Sequence, residues 1–205
     1  GVFTISSPAT STDRTLTLPD EAGTVLTSAS SLAAANLTGT VASGRMPAGS
    51  VLQVVSVTKV DTFSTSSANI FIDITGLTVS ITPRSTSSRM VVITHIGAMG
   101  NNAGGARTAS FRLMRDSTAI GIGTPEGARV GASFRDFIEA DTNHARNGSF
   151  THVDSPSTTS ATTYKLQANN QGDTLFINRN GSNANNGLAW GTRCASSITV
   201  MEIAG

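Results

Sequence analysis

The chain has 205 residues, of which 38% are apolar and only 13% charged, and its 14 basic and 13 acidic side chains leave a formal net charge of +1. That length holds one compact domain with a smaller appendage, while charge so sparse and evenly spread leaves no footprint for a phosphate backbone or an anionic bilayer. No apolar run approaches the ~20 residues of a membrane-crossing helix, and a single cysteine, Cys194, excludes an intrachain disulfide or multi-cysteine zinc site.

Charge density is half that of an average soluble domain, where about a quarter of residues are charged. Ser, Thr, Asn and Gly supply the polarity instead, which with β-branched residues at strand-like spacing predicts an all-β chain. The opening Val2-Phe3-Thr4-Ile5 reads as a strand already under way without an initiator Met, as in a piece of a longer chain. Short β-like pieces follow at Phe3–Ile5 and Thr15–Leu18, then Thr24-Val25-Leu26, with turns at Ser6-Ser7-Pro8 and Pro19–Gly23 and a weak helical turn over Ser30–Asn36. Leu16, Leu18, Val25 and Leu26 are too few to offset an ordering cost of about 1–2 kcal/mol per residue. Residues 1–50 therefore read as a stalk and connector that depends on copies of itself, with Pro47 holding an extended lead into residues 51–205.

From Val51 the period-2 signal is clear. Ile70, Ile72 and Ile74 share one face and Leu77, Val79 and Ile81 another, with Gly76 between them, which reads as a half-buried hairpin. Arg89–Met99 is apolar on both faces, Met90, Val92 and Ile96 against Val91, Ile93 and His95, and calls for two coverings, one of them a neighbouring subunit. After a Gly/Asn loop over Gly97–Gly105, strands are predicted at Thr108–Arg115, Ser133–Glu139, Gly148–Val153, Thr162–Ala168, Thr174–Ile177 and Ser197–Ile203. Asn147-Gly148, Asn180-Gly181 and Asn186-Gly187 mark tight turns. Short strands with frequent turns define an antiparallel β-sandwich of jelly-roll type.

No nucleophile elbow, zinc-protease helix or nucleotide loop is present. Asp136, Glu139 and Asp141, near Arg135 and His144, form one acidic cluster, and paired carboxylates cleave glycosides. A salt-bridged rim accounts for them better, so no catalytic residue is expected. His95 is expected to be hydrogen-bonded in the core, the alternative being a threefold metal site. Neither a metal nor another cofactor is expected. Recognition residues are expected on polar loops held by the scaffold. Asn178, Asn183, Asn185, Asn186, Trp190 and Arg193 lie in one such stretch, and Asn101, Asn102 and Arg107 in another. Trp190 is the only tryptophan. Its indole either stacks on a sugar face while amides bind hydroxyls, or plugs the end of the sandwich. Tyr164 alternates with Leu166 and reads as core.

Ser6–Thr27 (SSPATSTDRTLTLPDEAGTVLT) and Leu37–Val55 (LTGTVASGRMPAGSVLQVV) resemble the stalk and connector of bacteriophage tail fibres and related virion appendages. Asp61–Ser67, Phe71–Val92, Asp154–Gln167 and Ser196–Gly205 resemble the heads of that group. The resemblance implies a homotrimer with an intertwined trimeric stalk and a compact head, located in the virion. Its partners would be other virion tail or capsid proteins and a host cell-surface glycan or outer-membrane component, with neither nucleic acid nor membrane insertion involved. A fibre cap or capsid-decorating trimer without receptor binding is the rival reading.

Overall fold

The computed structural model describes residues 41–102 and 104–205, with positions 11, 12, 15, 20 and 39 before them. The chain divides into two units, Gly1–Thr40 and Val41–Gly205. Apart from those isolated positions, the short strands and helical turn expected before residue 41 lie outside the described residues. The second unit takes in residues 41–50 of the expected connector. After the 3-10 turn Ser43–Arg45, this segment is tied to the far end of the chain: Gly49 N–H donates to Ala204 O and Ala204 N–H to Ser50 O, both at 2.8 Å.

The second unit is an antiparallel β-sandwich. Its strands are β1 (Val51–Lys59), β2 (Phe63–Thr65), β3 (Ile72–Ile81), β4 (Arg89–Asn101), β5 (Arg107–Arg115), β6 (Thr118–Ile120), β7 (Phe134–Ile138), β8 (Arg146–Asp154), β9 (Thr162–Asn170), β10 (Leu175–Ile177) and β11 (Ser196–Ile203). One sheet runs β1-β11-β4-β10-β2, with β8 on the other edge of β4; the second runs β3-β9-β5-β6, with β7 also on β5. Alternation along each strand sends Met90, Val92, Ile96, Ile198 and Val200 from the first sheet against Ile74, Leu77, Val79, Phe111, Leu113, Tyr164 and Leu166 from the second, all essentially inaccessible. Where β7 meets β8, the rings of Phe111, Phe134, Phe150 and His152 stack in series at 4.7, 6.3 and 6.1 Å and close that side.

Several expectations are corrected. The hairpin expected at Gly76 is one continuous strand, β3, with a bulge: Asp73 lies opposite Gln167 and Thr78 opposite Lys165, so five steps of β3 face two of β9. Gly76 takes φ +87° there, a backbone that a side chain would strain. Two successive exposed residues, Thr75 and Gly76, reset the alternation so that Ile74 and Leu77 both reach the core. The Asn147-Gly148 turn is absent, since both lie within β8, and a Cβ on Gly148 would come within 2.9 Å of the Phe134 ring. The loop expected from Gly97 is in fact the end of β4, which continues to Asn101. His95 is exposed on the outer face of β4, its neighbours Thr94 and Ile96 taking the inward positions.

Three buried polar groups fasten the sandwich ends. Glu202, fully buried, accepts bonds from Ser88 Oγ (2.6 Å), Arg84 N–H (2.6 Å) and Gln53 Nε2 (2.5 Å). Asp154 accepts from the Tyr164 hydroxyl at 2.7 Å and pairs with Arg115 at 2.9 Å. Lys59, 4% exposed, pairs with the exposed Asp61 at 2.8 Å. Among the described residues no helix is long and apolar enough to cross a membrane.

Candidate functional site

The loop between β10 and β11, residues 178–195, is pressed against the end of β4 because glycines there remove the side chains that would hold it off. A Cβ on Gly100 would lie 2.7 Å from Asn180 Cα and Gly181 N, and one on Gly181 would collide with the Asn101 carbonyl oxygen. The loop is then fixed by amides. Asn178 takes φ +67°, is fully buried, and donates from Nδ2 to Lys59 O (2.9 Å) and Asp61 O (2.8 Å), while its Oδ1 accepts from Ser196 Oγ (2.5 Å). Asn180, 3% exposed, donates to Asn143 O (3.3 Å) and Trp190 O (2.7 Å), and its Oδ1 accepts the Asn183 N–H (3.0 Å).

Trp190, at the centre of the 3-10 turn Ala189–Gly191, is 37% exposed and so does not plug the sandwich. With Asn143, Ala145, Arg146, Asn147, Asn180 and Cys194 it borders a hollow of about 230 Å³. That is below the ~300–1,000 Å³ of pockets that enclose a whole small ligand. The hollow places the indole beside amide groups and the Arg146 guanidinium, which is itself paired with Glu139.

Two arginines add positive charge on the same loop. Arg179 stacks over the Phe176 ring at 3.5 Å and donates to Asn180 O at 3.1 Å; Arg193 donates to Asn183 Oδ1. Partial burial first, and then the nearby Arg193 charge, pull the Arg179 pKa down. Among the described residues neither has a carboxylate at ion-pair distance.

The expected recognition residues separate into three groups. Trp190, Arg193, Asn183, Asn185 and Asn186 are exposed on the loop, with Asn186 Oδ1 accepting the Leu188 N–H at 3.1 Å. Asn102 and Arg107 gather instead before β10, where Asn102 Oδ1 accepts the Thr174 N–H (3.0 Å) and Arg107 pairs with Asp173 (2.7 Å). Asn178 and Asn101 are corrected from contact residues to supports. Both are buried, and Asn101 Nδ2 is spent on Ile138 O (3.3 Å) and Glu139 O (3.1 Å). Asn180, which ties down the Trp190 carbonyl, and Arg179, which adds charge to the loop, were missed in the sequence reading.

In the acidic cluster, Glu139 is bound by His144 Nδ1 at 2.8 Å and by Arg146. The His144 hydrogen bond and then the Arg146 charge hold its carboxyl below the usual range, the reverse of what a general acid needs. Asp136 accepts its neighbour's N–H, from Phe137, at 2.7 Å. Among the described residues no group of three or more His, Cys, Asp and Glu is placed to hold a metal ion.

No protein-family model and no curated protein matches this chain. Among solved structures it is similar to the infectious bursal disease virus VP2 subviral particle, at 14% identity and a TM-score of 0.35 over 74% of this chain and 38% of that one. It is likewise similar to the Gx strain of that virus (15%, TM-score 0.35, 74% and 37%) and to its T=1 particles (16%, TM-score 0.35, 74% and 36%). The chain thus spans well under half the length of these structures.

Proposed function

We propose that this chain is a virion appendage protein of tail-fibre type, a non-catalytic homotrimer whose sandwich head attaches to a glycan on the bacterial surface. The observation that carries the reading is Trp190, the chain's one indole, held out beside a shallow amide-lined hollow by Asn180. A structural plug would be buried, whereas a part-exposed indole beside amides matches the two-sided chemistry of a sugar ring. Arg179 and Arg193, without carboxylate partners among the described residues, favour a glycan that bears acidic groups. A salt-bridged Glu139 argues against hydrolysis of that glycan. One ring in a small hollow binds weakly, but three such sites on one head gain roughly 10²–10⁴ in avidity where the spacing allows. The stalk and head resemblance supports the place in the virion.

The test is binding of the purified chain to an immobilised panel of bacterial envelope glycans, acidic and neutral. Wild type is expected to bind acidic members, and Trp190→Ala to lose them with its far-UV circular dichroism unchanged. Equal binding by Trp190→Ala, or no binding to any member, would remove the receptor role and favour the fibre cap.

A further inference from the structure

The two sheets present unlike outer faces to their surroundings. That of the second sheet is charged and laced together: Asp73 accepts from Lys165 (2.6 Å) and Gln167 (2.7 Å), Arg112 binds Gln167 (2.8 Å) and lies 4.0 Å over the Phe71 ring, and Ser80 meets Thr163 (2.9 Å). Apart from Phe137 on β7, 56% exposed, such a surface needs no cover. The strand register sets three rows across the outer face of the first sheet. They are Val54–Met201–Val91–Val153, Ser56–Thr199–Ile93–Thr151 and Thr58–Ser197–His95–Ser149. None of these twelve side chains is Asp, Glu, Lys or Arg. The first row is wholly apolar, with Val54 55% and Val153 46% exposed, and Ile93 beside it is 38% exposed.

We infer that this outer face of the β1-β11-β4-β8 layer is the surface on which a second copy of this chain packs. The inference rests on the homotrimer reading for the number of copies, but not for the choice of face. Three observations favour a copy over another occupant. Around a rotation axis the same face of every copy turns inward, so a face whose three central rows carry no fixed charge, with Arg89 only at its end, meets its copies there without the repulsion a charged face would bring. The rows of Ser and Thr are donors and acceptors at once and so complement themselves, as the Ser56–Thr199 contact at 2.7 Å already shows within the chain. Four strands at ~4.8 Å spacing and three rows two residues apart at ~3.4 Å rise give a flat area on the order of 400 Å². That is about half of the ~800 Å² per partner of a standard interface, and the apolar row beside two Ser/Thr rows gives it the make-up of the centre of such a contact.

The experiment measures mass by light scattering and, on the same sample of the 205-residue chain, hydroxyl-radical oxidation at Met201, His95, Ile93 and Val153. Ile70 and Val130, exposed elsewhere, serve as internal standards. Expected is an oligomeric mass with oxidation of the four residues several-fold slower than their exposure in a single chain implies. Ile93→Asp should restore fast oxidation at Met201 and Val153 with circular dichroism retained. Ser80→Asp, on the other sheet, should leave the protection unchanged. An oligomer whose four residues oxidise freely would overturn the face while leaving the trimer standing. A monomer that still protects them would assign the cover to another segment of the same chain, and would also overturn it.

Discussion

Replacing Glu202 by Gln keeps the shape of a buried side chain and removes only its charge, so it isolates what the carboxylate does at the end of β11. All three partners are donors, Ser88 Oγ, Arg84 N–H and Gln53 Nε2, and Gln53 also holds Thr82 O at 2.8 Å. A glutamine offers one oxygen, so if that oxygen keeps Ser88 and Arg84 its own NH2 faces Gln53 Nε2 and is left without an acceptor, while Gln53 retains Thr82 O. Hydrogen bonds to charge contribute about 1.5–3 kcal/mol against about 0.5–1.5 for neutral ones, and an orphaned buried donor costs about 1–3. With the desolvation of the charge relieved in return, the net loss is about 2–4 kcal/mol. For a chain of this size that lowers the melting temperature by about 5–15 °C. Burial alone would push the Glu202 carboxyl up, but the Ser88, Arg84 and Gln53 bonds together with the Arg84 charge hold it below its ordinary 4.5. A folded value depressed below the unfolded one means the stabilisation is complete above pH ~4.5 and is lost as pH falls through the folded value. Urea denaturation of wild type and Glu202→Gln from neutral pH down through this range should show the two curves converging in acid. Equal stability at neutral pH, or parallel acid slopes, would refute the argument.

Other outcomes follow from single residues. Tyr164 is the only tyrosine, and burial followed by its bond to Asp154 pushes its phenol well up. Phenolate absorbance should therefore stay absent through the ordinary range near pH 10 and appear only with unfolding; a reversible titration there in folded protein would contradict it. Tyr164→Phe, which removes that bond, should cost about 1–2 kcal/mol in urea denaturation. Gly100→Ala should cost about 1–3 kcal/mol by overpacking. Because the new methyl meets the backbone at Asn180, it should also alter the fluorescence of Trp190, the chain's sole reporter, and weaken glycan binding. Asp61→Asn leaves Lys59 buried without its carboxylate and should lower stability most at neutral pH; no change would mean the pair is incidental.

The strands that pack one face inward and one outward were legible because alternation is all that decides them: β5, β9 and β11 fall within a residue or two of where period-2 reading puts them. At Gly76 that reading failed, since a glycine with positive φ serves a turn and a bulge equally well. The discriminating signal was present in the spacing of Ile74 and Leu77, whose odd separation requires a slip in phase if both are core. His95 was misread because an apolar strand was taken to be buried on both sides, although its register partners Ser197 and Ser149 are small and polar. The candidate loop was visible as composition, but composition cannot tell an amide that ties down backbone from one that faces outward. Asn178 and Asn101 proved to be of the first kind, and Asn180, which holds Trp190 in place, was indistinguishable from its neighbours. β2, three residues long, was too short to carry a pattern.

The bulge of β3 also acts as a socket. A Cβ on Gly76 would lie 3.4 Å from Lys59 Nζ and 3.6 Å from its Cδ, so the bare backbone there accommodates the full aliphatic length of a lysine arriving from β1. The slip that keeps the β3 alternation in step thus also leads a positive charge from the interior edge out to Asp61. Deleting one residue at Thr75 or Gly76 would even the spacing of Ile74 and Leu77, so both would still face the core, but it would shift the register against β9 and close the channel through which Lys59 reaches its partner.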